Sequence, residues 1–315
     1  MPFATDPDAV LARYPESGWR SLYAFAPKRF FLPRPARARP EDDADGVGLA
    51  YLDEGPADAA PVVMVHGNPT WSFFFRAPVL ALRERRRCLV PDHVGCGLSD
   101  KPQRYPYTLA THVDNLEAWL EAVIAPGTRV DLLLHDWGGA IGMGYATRHP
   151  ERIRKIAVMN TAAWRSLAVP ARIRMCRAPV WGELLARRLN LFVRLAARQT
   201  TVKPLAADAR AGYLAPYGSY AERVAVLAFV RDIPLVPGRP GWEELGRIED
   251  GMARLRDAPL LWQWGGHDWC FTTRYRDGWL ERFPDARGDV YADAGHYLLE
   301  DAADRIVPKL VEFFG

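Results

Sequence analysis

The stretch LLLHDWGGAIG, residues 132–142, runs from continuous apolar residues into a segment of small ones, with Asp136 at the join. It reads as a buried strand entering a helix. A turn of that kind lifts its central side chain above the sheet, and the free N–H groups of the following helix supply positive potential there. A serine in that place that attacked a saturated carbon would form an ether, which water does not readily reverse. An aspartate forms an ester, which can be hydrolysed or eliminated. The residue type points to alkyl transfer and away from ordinary ester or amide cleavage. Gly138 and Gly139 suit the sharp turn, but the residue two before Asp136, usually Gly where a serine is the nucleophile, is Leu134. The competing reading is that Asp136 only caps the helix.

Two further residues weigh against a mere cap. Asp268 lies in WGGHDWCF, just past an apolar run, and His296 lies in YADAGHYLLED. The chain order nucleophile, acid, histidine is that of the α/β-hydrolase fold. His296 is the expected general base, and Asp268 the acid that fixes its tautomer and supports the imidazolium. Asn68, after His66-Gly67, and Trp137 are the expected donors to a departing anion or oxyanion, through backbone or side-chain N–H groups. His66, His135 and His267 read as loop-shaping residues, Trp71 and Phe73 to Phe75 as core, and Asp92 in PDHVGCGLSDKP as structural.

These residues need a sheet to hold them. APVVMVHG, CLVPDH, RVDLLLHD, RKIAVMNTA and APLLWQWGGHD are apolar runs that suit strands buried on both faces of a parallel sheet. An earlier strand is expected near GVGLAYLDEG, after an N-terminal arm without periodicity. THVDNLEAWLEAVI places Val113, Leu116, Leu120 and Val123 on one helical face, with Thr111 and Asp114 at capping-box spacing. The alternation predicts a doubly wound, mostly parallel eight-stranded sheet of the α/β-hydrolase type. Residues 163–235 carry helical patterns and no strand candidate. They are expected to form a helical cap over the sheet's C-terminal edge, with residues 1–162 and 236–315 as the core.

Among 315 residues, 49% are hydrophobic and 25% charged, and the net charge of +3 gives no reason to expect nucleic acid. Cys88, Cys96, Cys176 and Cys270 show no CxxC pairing, so reduced thiols are expected. No leader pattern opens the chain and no window is apolar enough to span a membrane, which predicts a cytoplasmic protein. There is no P-loop, dinucleotide fingerprint or HExxH, so neither metal nor cofactor is expected.

HGNPTWSF, HDWGGAIG and DAGHYLLED together resemble the haloalkane dehalogenase branch of the α/β hydrolases, over residues 45–315. Asn68 separates this branch from typical epoxide hydrolases, which place a bulky residue there. One dehalogenase subgroup puts the triad acid after the sixth strand. VMNTA offers only Asn160 at that place, which leaves Asp268. HVGCGLSDKP, WGGHDWCF and GYLAPYGSYAERVAVLAFVRDIPL are most similar to the OleB-type cis-3-alkyl-4-alkyloxetan-2-one (β-lactone) decarboxylases. Cys96 stands where typical dehalogenases carry a bulky apolar residue. The resemblance implies conversion of cis-3,4-dialkyl β-lactones to cis-alkenes and CO2 in long-chain olefin biosynthesis, with Asp136 as nucleophile. The alternatives are a haloalkane dehalogenase using the same residues, an epoxide hydrolase using lid tyrosines among Tyr213, Tyr217 and Tyr220, and an inactive relative serving as a binding protein.

Residues 171–203 hold eight basic residues and one acidic one, interleaved with Leu184, Leu185, Leu189, Phe192 and Leu195. One reading is a solvated arginine face. The other is peripheral attachment to a membrane, or to a β-lactone-forming partner enzyme, through residues such as Arg187 and Arg188.

Overall fold

The sequence VDLLLHD forms a strand, Val130–Asp136, in which every residue is buried. Its side chains alternate between two cores, with Leu132 and Leu134 on one face of the sheet and Leu133 on the other. A strand so placed must be covered on both sides. The computed structural model, which describes residues 3, 4, 11 and 18–315, covers it with helices in a doubly wound sheet. The strands are β1 (Phe3–Ala4), β2 (Lys28–Phe31), β3 (Gly48–Glu54), β4 (Pro61–Val65), β5 (Arg87–Pro91), β6 (Val130–Asp136), β7 (Ile153–Thr161), β8 (Leu260–Gly265) and β9 (Arg287–Tyr291). Their order is β1-β2-β3-β5-β4-β6-β7-β8-β9. The pairings from β5 through β4 to β9 are parallel, and β1, β2 and β3 are antiparallel. The five apolar runs and the strand expected near GVGLAYLDEG are β3 to β8; β2 and β9, which no run marked, complete the expected eight, and β1 adds a two-residue edge.

The helices Leu109–Val123 and Trp137–Arg148 bury Val113, Leu116, Leu120 and Ile141 on one face. Arg76–Leu82 and Ala303–Phe314 bury Val79, Ile306 and Leu310 on the other. The first of these helices starts earlier than the capping-box spacing predicts. Its cap is Thr108, whose Oγ1 accepts from the Thr111 N–H at 3.2 Å. Thr111 therefore lies inside the first turn, because the hydroxyl three residues upstream reaches its amide.

Between β7 and β8 the chain forms the helices Ala171–Arg177, Pro179–Gly182, Leu191–Gln199, Ala207–Leu214 and Val224–Asp232, with a π-helical segment at Glu183–Arg188. No strand occurs among the described residues of this stretch. The next helix, Pro240–Gly251, packs back on Trp137–Arg148, where Ile248 approaches Gly144. No helix among the described residues is long and apolar enough to cross a membrane.

Candidate active site

β6 delivers Asp136 to the sheet's C-terminal edge with φ 52° and ψ −126°, a conformation L residues rarely adopt. The backbone is held there by the Thr161 hydroxyl, which donates to the Asp136 carbonyl. Close packing makes the turn possible. A Cβ on Gly138 would sit 1.9 Å from the Val65 carbonyl oxygen, so only glycine fits beneath the turn. Asp136 is the N-cap residue by position, yet its carboxylate makes no capping bond. Oδ1 accepts from the Asn68 backbone N–H at 2.7 Å, and Oδ2 lies 3.5 Å from His296 Nε2. A Cβ on Gly67 would meet Oδ1 at 2.0 Å, so the carboxylate rests directly on that glycine.

His296 Nδ1 meets Asp268 Oδ2 at 2.7 Å. Asp268 Oδ1 accepts from the Cys270 and Phe271 N–H groups at 2.6 and 3.0 Å. Burial pushes the Asp268 pKa up, but the His296 ring, the Asn160 side-chain amide and the Cys270 N–H hold it below the usual carboxylate value. Burial also pulls the His296 ring towards neutrality. The Asp268 charge and the hydrogen bonds to the two flanking carboxylates outweigh that and raise its pKa to about 10. The acidic side chains on either side of the ring thus favour its protonated form.

Asn160 has a part that its residue type did not suggest. Its Nδ2 donates to Asp268 Oδ2 at 2.6 Å and its Oδ1 accepts from the Gly265 N–H at 2.8 Å. The amide stands beside the acid and locks it to the end of β8. His135 Nε2 lies 2.9 Å from the His296 carbonyl oxygen, and its ring stacks on Phe74. Burial lowers the His135 pKa to about 3, so this ring is neutral and acts as a spacer. The His66 ring accepts from the His93 N–H at 3.0 Å and contacts the Gly67 carbonyl at 2.7 Å, which shapes the loop carrying Asn68. His267 is exposed. Asp92 accepts from the Ser72 and Leu98 N–H groups, and Trp71 and Phe73 to Phe75 are fully buried.

Asn68 and Trp137 both line the cavity above Asp136. The Asn68 side chain is partly committed, since its Nδ2 donates to the Val226 carbonyl at 3.1 Å and so ties this loop to the inserted helices. The cavity holds about 330 Å³. Apart from Asp136 and His296 its only charged wall is Arg172, and Ile173, Leu185, Phe192 and Val230 are typical of the rest. The lid tyrosines do not reach it. Tyr213 donates to Glu300, Tyr217 sits within 3.4 Å of the Thr70 carbonyl and Gly97 N–H, and Tyr220 donates to Glu183. All four cysteines are free. Among the described residues one group could offer metal ligands, Glu117, Glu121 and His149. It shares no residue with the cavity wall, and Arg148 and His149 already bond Glu117.

A family model described as the alpha/beta hydrolase fold matches residues 60–303. A cis-3-alkyl-4-alkyloxetan-2-one decarboxylase of Shewanella oneidensis is 40% identical over 292 residues, covering 91% of this chain and 88% of that protein. Haloalkane dehalogenase 2 of Mycobacterium bovis is 34% identical over 280 residues, covering 85% of this chain and 91% of its own length. Among solved structures, the haloalkane dehalogenase DatA of Agrobacterium tumefaciens C58 matches with a TM-score of 0.77 at 25% identity, over 95% of this chain and 98% of that one.

Proposed function

The chain belongs to the α/β-hydrolase family, and on that premise we propose that it decarboxylates cis-3,4-dialkyl β-lactones to cis-alkenes and CO2, as a step of long-chain olefin biosynthesis. The observation that carries this reading is an aspartate, free of any capping role, that faces an apolar cavity with the His296 ring 3.5 Å from its carboxylate. The similarity to the oxetanone decarboxylase supports the choice of substrate.

In the proposed reaction an Asp136 oxygen attacks the ring carbon that bears the ring oxygen. That C–O bond breaks, its electron pair becomes a carboxylate, and an alkyl ester of Asp136 forms. The bond to the carboxylate carbon then breaks and releases CO2. Its electron pair becomes the alkene, and the ester C–O bond returns its pair to Asp136. Inversion followed by anti elimination converts a cis ring into a cis alkene. No proton moves and no water is consumed. In this reading Trp137 and the second amide hydrogen of Asn68, both from the cavity wall, receive the departing carboxylate, and the imidazolium of His296 offsets the two negative charges that share the site. A general-base role for His296 requires the neutral ring. Esterification of Asp136 favours that form by removing one flanking charge, and a hydrolytic route would use it.

That route is the second reading, a haloalkane dehalogenase, favoured by the 34% identity to such an enzyme. The epoxide hydrolase reading loses its electrophile, because Tyr213, Tyr217 and Tyr220 do not line the cavity. The deciding experiment is gas chromatography of products from a cis-dialkyl β-lactone, with a 1-bromoalkane halide-release assay in parallel. Alkene supports the lactone reading; halide without alkene replaces it with the dehalogenase. Tight ligand binding with no turnover on either substrate would favour the binding protein. Turnover in oxygen-18 water adds a check on the route, since label entering Asp136 at every cycle contradicts anti fragmentation.

A further inference from the structure

The cavity does not close beneath the inserted helices. Met175 and Leu195 each form part of its wall and are also 51% and 43% exposed at the outer surface. Between them, Arg172 stacks over Trp269 at 4.1 Å and donates to Gln199 at 3.2 Å, and these three residues also line the cavity. The opening therefore lies between the helices Ala171–Arg177 and Leu191–Gln199. The helix that follows the first of them carries Val180 and Trp181, 75% and 54% exposed.

The basic residues of this stretch divide into two sets. Arg177 donates to the Val230 and Ile233 carbonyls, and Arg187 is spent on Glu183, Gln103 and the face of Tyr220. Arg172 and Arg174 are exposed but bonded, Arg172 to Gln199 and Arg174 to the Leu167 and Val169 carbonyls, whereas Arg188, Arg194 and Arg198 are exposed and form no ion pair with any described residue. With eight basic residues and one acidic one in 171–203, in a chain of net charge +3, the basic excess is concentrated here.

We propose that this face docks on an anionic lipid bilayer, with Val180 and Trp181 inserted at the interface, Arg188, Arg194 and Arg198 on the headgroups and the cavity mouth opening towards the acyl chains. A bilayer presents an anionic plane with hydrocarbon directly beneath it, and this surface offers the matching pair. An acidic protein would satisfy the arginines but not a solvent-exposed tryptophan and valine beside an apolar mouth. The proposal rests in part on the dialkyl-lactone reading, since a substrate dissolved in the membrane would enter without crossing water.

The test is flotation of the full chain with phosphatidylglycerol–phosphatidylcholine vesicles and with pure phosphatidylcholine vesicles. The expected result is binding to the anionic vesicles only, reduced by high salt. The Arg188→Glu/Arg194→Glu/Arg198→Glu variant should lower the partition coefficient by roughly 100-fold. Val180→Ser/Trp181→Ser should lower it at unchanged charge, which guards against a folding defect in the first variant. Failure of the wild-type chain to float with anionic vesicles overturns the proposal, as does binding indifferent to both variants. Capture only by an acidic protein, with no vesicle binding, assigns the surface to a protein partner instead. Vesicle binding without alkene formation would keep this surface and remove the lactone reading. Alkene from a dispersed short-chain lactone without vesicle binding would do the reverse.

Discussion

Asp136 and His296 sit on the floor of the cavity with Asp268 behind them, and each side chain is buried and bonded to a named partner. Val180 and Trp181, in the roof, face solvent. On the floor, glycines at 67 and 138 leave no space for a single added carbon. In the roof, arginines alternate with apolar side chains and several have no carboxylate partner among the described residues. The floor is over-determined geometry, as an electrostatic site must be if its charges are to be aimed before substrate arrives. The roof keeps several exposed apolar and cationic groups, Val180, Trp181, Arg188, Arg194 and Arg198, that the described fold does not pair. A substitution on the floor should change chemistry, and one in the roof should change where the protein goes.

The largest effect expected is at Asp136→Asn. The amide can still accept from the Asn68 N–H, so the fold should hold, with a melting temperature within a few degrees of wild type. The proposed nucleophile is gone, and alkene formation should fall by at least about 10⁴-fold, measured by gas chromatography. Retained turnover would separate the floor's geometry from its proposed chemistry.

Asn160→Leu comes next. It deletes the donor to Asp268 and leaves the buried Gly265 N–H without its acceptor. The expected cost is about 1–3 kcal/mol of stability, read by urea denaturation, and up to about 100-fold in turnover as His296 loses its fixed partner. Unchanged turnover with lowered stability would make Asn160 structural only.

Asn160 also marks where the sequence stopped being legible. Asp136 and Asp268 could be found because each follows an apolar run that ends at the same sheet edge, and His296 because it comes last in the chain order nucleophile, acid, histidine. Asn160 was set aside because it is not an acid, although its position beside Asp268 is what matters, and only the register of β7 against β8 brings them together. The strands β2, next to the β1 edge, and β9, at the opposite edge, escaped for a different reason. They are half-exposed and lack the unbroken apolar run that marks a central strand. Thr108 lost the cap to Thr111 in the reading because both hydroxyls stand near the helix start, and a shift of three residues keeps the same face buried. Arg187 read as a surface charge, yet it bonds Glu183 and Gln103, partners whose proximity no local pattern reveals.

A smaller effect is expected from pH. The folded-state pKa of His296 is raised from 6.5 to about 10. Its contribution to stability is therefore fully present below pH 6.5 and is lost as pH rises through about 10. In the proposed route the imidazolium is the active form, so alkene formation should be flat from pH 7 to about 9 and fall towards pH 10 and above. Circular dichroism at each pH would separate this fall from unfolding. A rate that rises with pH over the same range would mean that the neutral ring works as a base, and would favour the hydrolytic reading.

The smallest effect is expected at Val180→Ser, and its smallness is informative. Val180 is 75% exposed on the four-residue helix Pro179–Gly182, so little burial is lost with its two methyl groups. Stability should stay within about 0.5 kcal/mol of wild type, by urea denaturation, and turnover of a dispersed short-chain lactone should not change. An apolar residue that the fold does not use can be replaced at no cost to the fold. Measurable destabilisation would show that Val180 packs within the roof in solution, and the contrast between a determined floor and an uncommitted roof would narrow to the arginines alone.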